Sequence, residues 1–151
     1  MKTVKDSIIV DGEEYIRKGS LNNGAETVPV DIKERVKSYE DACAVLGLNP
    51  KELQVEVSGF GSDGKAIIAH SKLIVIARAL NEGWTPDWTN VDEYKYYPWF
   101  KYDKAGFGFS GTYYVFWYTD TDVGSRLCFK TEALAEYAGK QFIEIYNEFL
   151  N

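Results

Sequence analysis

Between Gly64 and Gly83 the chain carries Ile67, Ile68, Leu73, Ile74, Val75, Ile76 and Leu80, spread around nearly the whole circumference of a helix. A helix with one polar face can lie on a surface, but one that is apolar nearly all round has to be covered on several sides. The run from about Lys65 to Glu82 is therefore expected to be the central helix, with Gly83 as its stop. Its longest aliphatic stretch, Leu73 to Ala77, is bounded by Lys72 and Arg78. That is far short of the about 20 apolar residues a membrane-spanning helix needs, so protein must do the covering.

Several segments can supply that cover. Thr131 can cap a terminal helix whose stripe of Leu134, Ala138, Phe142, Ile145 and Phe149 keeps one face on a core. Thr112 to Thr119 and Ser125 to Lys130 read as strands on either side of Asp120-Thr121-Asp122-Val123-Gly124, the pattern of a hairpin. Ser38, with Asp41 three residues on, can cap a short helix over Tyr39 to Leu46 that ends at Gly47, and Pro50 can open one further turn. Leu53 to Val57 alternate as a short strand would. Helices and antiparallel strands are thus segregated along the chain, which gives an α+β fold: an antiparallel sheet or hairpin packed against a long central helix and a C-terminal helix. Residues 1–30 form a separate N-terminal hairpin or flexible arm, with Asp11-Gly12 as a turn pair and Gly19 to Gly24 as loop. Residues 31–151 form the single α+β domain.

Composition narrows the function classes. With 151 residues, one domain of ordinary size is expected. A net charge of -6 disfavours nucleic acid as a general partner, because phosphate neutralisation needs clustered Lys and Arg. Cys43 and Cys128 each sit in an apolar pattern and read as small buried hydrophobes. With a single histidine, His70, and no Cys-x-x-Cys, no metal centre is expected. His70 precedes Ser71 directly, and neighbours on a helix point about 100° apart, so the two cannot form a nucleophile and its base. The N-terminus carries charge without an apolar leader segment, and a cytoplasmic location is the corresponding expectation.

Gly59-Phe60-Gly61-Ser62-Asp63-Gly64-Lys65 fits both glycine-rich phosphate patterns and lies between a strand-like segment and a helix. Against that reading, Ala66 stands where a magnesium-binding hydroxyl belongs and Asp63 places negative charge in the cradle. The plainer reading is a connector in which Ser62 or Asp63 caps the helix. Asp120 to Gly124 begins like a calcium loop, but Gly124, Ser125 and Thr131 stand where an EF-hand needs an oxygen ligand, a glycine and a glutamate. Neither catalytic residues nor a cofactor are assigned.

The run Ala77-Arg78-Ala79-Leu80-Asn81-Glu82-Gly83-Trp84, with Thr85-Pro86-Asp87-Trp88-Thr89-Asn90 and Tyr94-Lys95-Tyr96-Tyr97-Pro98-Trp99-Phe100, resembles a family of small proteins from Bacteroidetes phages and prophages. Val123 to Lys130 and Ala135 to Phe142 are similar to the same family. The resemblance spans roughly residues 66–150 and implies a phage or mobile-element context.

Fifteen of the 23 aromatic residues, with all four tryptophans, fall between Trp84 and Tyr118. They fill the core, with Trp84, Trp88 and Trp99 between helix and hairpin, or they form a recognition surface. For the surface, Trp84, Trp88, Trp99, Tyr114, Phe116, Tyr118 and Arg126 are the candidate residues. One face of the strand, Tyr113-Val115-Trp117 or Tyr114-Phe116-Tyr118, must be covered by the Trp84–Tyr102 segment or stay open. The leading expectation is a non-enzymatic, phage-type accessory protein that binds another protein, with self-association as a further outcome of an open patch. The alternatives are a single-stranded nucleic-acid or glycan module, with Lys95, Lys101 and Lys104 interleaved among the rings, and a nucleotide-dependent enzyme using the Gly59–Lys65 loop.

Overall fold

The computed structural model describes residues 7–10, 13–17, 27–104, 106–115 and 125–151. Near the N-terminus Ser7–Val10 (β1) and Glu13–Arg17 (β2) pair antiparallel around Asp11-Gly12, with Val10 opposite Glu13. Thr27–Pro29 (β3) adds a third antiparallel strand, and its Pro29, opposite Tyr15, closes the edge where no N–H is required.

Helix ends are set by local chemistry. Asp31 caps Ile32–Arg35 (α1) by accepting from the Lys33 amide at 2.9 Å. Ser38 Oγ accepts from Asp41 N at 3.0 Å and caps Tyr39–Val45 (α2), while Gly47 takes φ +65° to end it. Pro50–Glu52 forms the single extra turn. Leu53 to Val57 forms no strand, and among the described residues no strand pairs with it. Ser58–Asp63 follows as tight 3-10 turns, with Gly61 at φ +55°. Neither Ser62 nor Asp63 caps the next helix through its side chain.

Gly64–Leu80 (α3) is the central helix. Leu73, Ile76, Ala77 and Leu80 are buried with Ala42 and Cys43 of α2, and with Phe129, Leu134, Ala138, Phe142 and Tyr146 from the C-terminal third. Lys95–Asp103 (β4) and Gly106–Val115 (β5) make the antiparallel hairpin, with a bulge between Trp99 and Phe100. The hairpin partner of Thr112 to Val115 is thus the preceding strand. Ser125–Leu127 is a 3-10 turn, and Phe129 then bridges the free edge of β4 at Tyr96, with N···O distances of 3.1 and 2.9 Å.

Thr131 caps Glu132–Gln141 (α4) as expected, accepting from Leu134 N. The terminal helix is broken at Phe142 (φ -111°, ψ 27°), beyond which Ile143–Leu150 (α5) lies along α3. The break lets α4 pack on the hairpin while α5 packs on α3. At the first contact Gly139 has no room for a side chain: a Cβ there would fall 2.6 Å from Phe109 Cε2 and 2.8 Å from Pro98 Cβ. Among the described residues no helix is long and apolar enough to cross a membrane.

Candidate functional site

The aromatic segment divides into two places. Trp84 and Trp88 lie on the loop that follows α3. Trp99, Tyr113 and Tyr114 lie on the hairpin. The described core contains no tryptophan.

Lys95 organises the loop. Its side chain is completely buried, and its ammonium donates to the carbonyls of Asp87 (2.7 Å), Glu93 (2.9 Å) and Asn90 (3.2 Å). The Glu93 carboxylate sits 3.1 Å away, and the Trp88 ring centroid 5.6 Å away. Removing an ammonium from water is costly unless its protons are met, and here three carbonyls and one carboxylate meet them. Glu93 also accepts from Asp87 N at 2.8 Å and from Trp84 Nε1 at 3.3 Å. One ion pair, buried at Lys95 and partly buried at Glu93, therefore holds the loop backbone and orients both indoles. Lys95 is thereby removed from the surface cations once set beside Lys101 and Lys104, which remain exposed.

Asn81, just past α3, fixes the opposite wall. Phe129 turns its own N–H and C=O towards β4, so the Cys128 carbonyl and the Lys130 amide point the other way. Asn81 satisfies both: Nδ2 donates to Cys128 O at 2.8 Å and Oδ1 accepts from Lys130 N at 3.0 Å. Beside it, Lys130 pairs with Glu82 at 2.9 Å, and Glu82 itself is in the left-handed region (φ 49°).

Between these walls lies a cleft of about 460 Å³, lined by Ile74, Arg78, Trp84, Pro86, Trp88 and Arg126, among others. It unites three of the seven sequence candidates, Trp84, Trp88 and Arg126. Arg126 belongs to the 3-10 turn, not to a facing strand. Arg78 was not among those candidates, yet Ile74, Arg78 and Asn81 are spaced four and three apart and so share one helical face. Neither arginine has an ion-pair partner among the described residues, and no described lining residue carries a carboxylate.

The hairpin presents the second surface. Trp99, Tyr102 and Tyr113 are 50%, 68% and 52% exposed, and Tyr94 and Tyr114 are about half exposed. Trp99 packs on Tyr113 (5.7 Å between centroids), and Tyr114 meets Tyr94 edge-on at 5.3 Å. Residues 95–103 of the segment expected to cover the β5 face instead pair beside it in the same sheet. Below Trp99 and Tyr113 runs a groove of about 230 Å³ that also borders Phe107, Leu127 and Leu150. Phe116, Tyr118 and the Asp120–Gly124 loop lie outside the described residues.

The glycine-rich connector is built for packing. A Cβ on Gly64 would approach Val57 Cγ2 to 3.1 Å, so its bare Cα serves the turn against Val57. The segment directly before it, residues 53–57, is not a strand, which removes the local setting a phosphate loop requires. His70 stacks on Phe149 at 5.0 Å. Neither cysteine is in a disulfide, both are buried, and burial pushes the Cys128 thiol up to about 11. No protein-family model, curated protein or solved structure matches the chain.

Proposed function

We propose that this chain works by binding another protein through the aromatic surface of the β4–β5 hairpin, as a non-enzymatic accessory protein in the phage or mobile-element context its sequence resembles. The supporting observation is that Trp99, Tyr102 and Tyr113 stand at least half exposed on paired strands. Large rings held on a rigid sheet lose little conformational entropy on docking and offer much contact area. The burial of Lys95 weakens the nucleic-acid alternative, since it takes one cation out of reach of any phosphate.

A photo-crosslinking residue at Tyr102 tests the reading in cells of the native host. The expected result is one dominant crosslinked protein, lost when Trp99 and Tyr113 are both replaced by Ala while the unfolding midpoint is kept. Crosslinks to a second copy of the chain, with a concentration-dependent dimer in sedimentation, would replace the hetero-partner by self-association. A monomer that captures nothing would end the proposal.

A further inference from the structure

The cleft behind the Trp84–Trp88 loop has a charge that the rest of the molecule does not predict. The chain carries a net charge of -6, yet the described residues lining this cavity include two arginines and no carboxylate. Arg78 comes from α3 and Arg126 from the turn before Phe129, so two separate elements bring like charges to one hollow. Two guanidinium groups on one concave wall, with no carboxylate among the described residues that line it, repel each other, and an anion in the hollow relieves that repulsion. Guanidinium groups offer forked donors that match the two oxygens of a carboxylate or phosphate.

Asn81 and Thr85 add polar atoms to the lining, and two indoles supply planar apolar walls. Trp84 and Trp88 are fixed from behind by Glu93 and Lys95, so their orientation does not wait for a ligand. Pro86 and Ile74 complete that side. A volume of about 460 Å³ falls in the range of small-molecule sites, which pair apolar walls with a few placed polar groups. Asn81 is not available to a ligand, because both ends of its amide are used on the Cys128–Lys130 backbone.

We propose that this cleft is a binding site for a small ligand that carries an oxyanion on a planar ring, with Arg78 and Arg126 holding the anion and the two indoles holding the ring. The site is distinct from the hairpin surface and does not depend on it.

The test is calorimetric titration of the whole chain with adenosine 5′-monophosphate and with 2-naphthoate, which separate a phosphate from a carboxylate source. Adenosine and inorganic phosphate serve as the two halves of the first probe. The expected result is saturable binding of at least one complete probe, tighter than either half and weakened by salt. Arg78→Gln and Arg126→Gln should each weaken it roughly tenfold or more, as loss of a charge-assisted hydrogen bond does, while leaving the unfolding midpoint in place. Trp99→Ala, on the hairpin, should leave it unchanged. Absence of saturable binding by both complete probes up to about 1 mM, or binding that survives both arginine substitutions, would overturn the proposal.

Discussion

Asn147 pairs with Phe107 as a neighbouring strand would: its Oδ1 accepts from Phe107 N at 2.8 Å and its Nδ2 donates to Phe107 O at 2.9 Å. Phe107 lies on the edge of β5 away from β4, where a strand would otherwise show an open ladder. A single side chain from α5 closes it and ties the hairpin to the helical layer. Asn147→Ala leaves both groups of Phe107 unpaired in a partly buried place and should cost about 1–3 kcal/mol, read from urea denaturation. An unchanged midpoint would mean that water replaces the amide without loss.

Lys95→Met should cost more, about 3 kcal/mol, because it strands the Glu93 carboxylate and three carbonyls that face inward. The same variant should alter the near-ultraviolet circular dichroism of Trp84 and Trp88. Retention of that signal would show that the indoles are held by something other than the ion pair.

Gly139→Ala should destabilise by about 1–3 kcal/mol, since the added methyl meets the Phe109 ring and Pro98 across a closed contact. Pairing it with Phe109→Leu should recover part of the loss. No recovery would place the strain elsewhere.

Stability should fall at alkaline pH with a slope that changes once. Burial raises the Cys128 thiol from 9.0 to about 11 and raises the Tyr146 and Tyr39 hydroxyls, the latter to about 12. In each case the unfolded chain loses its proton first, so stability is complete below the unfolded pKa and falls as pH rises above it. The slope should begin near pH 9 with Cys128 and steepen near pH 10 with the tyrosines. Denaturation midpoints between pH 8 and 11 check this: Cys128→Ala should flatten the first part, and Tyr146→Phe the second.

Deleting residues 1–30 should leave one cooperative transition. The described strands β1 to β3 pair among themselves, and the segment is less apolar than the chain as a whole. A truncated chain that melts without cooperativity would move the domain boundary.

What the sequence disclosed was what neighbouring residues decide. Ser38 and Thr131 cap their helices, Gly47 stops one and Pro50 opens a turn, each through contacts within four residues. The apolar girdle of α3 likewise foretold its central place. Of the strand expected over Thr112 to Thr119, Thr112 to Val115 belongs to β5, but the pattern points forward to Ser125–Lys130 for its partner, which lies behind, at Lys95–Asp103. Pro98 hid that strand. It is tolerated because every second residue of β4 turns its nitrogen away from β5, as Tyr96 does towards Phe129, and Pro98 stands two places on. Lys95 was illegible for a similar reason: nothing adjacent in sequence says that an ammonium will be met by the carbonyls of a folded loop. Phe142 continues the apolar stripe, so periodicity ran straight through the break between α4 and α5.

The way Lys95 holds its loop has a consequence for change over time. Its ammonium is met mostly by main-chain oxygens, at Asp87, Asn90 and Glu93, and a main-chain oxygen is present whatever the side chain. The side chains of Thr85, Val91 and Asp92 make no bond to that ammonium. A lineage, or an engineer, can therefore rewrite them to suit a new ligand or partner while the loop keeps its path, provided Lys95 and Glu93 stay.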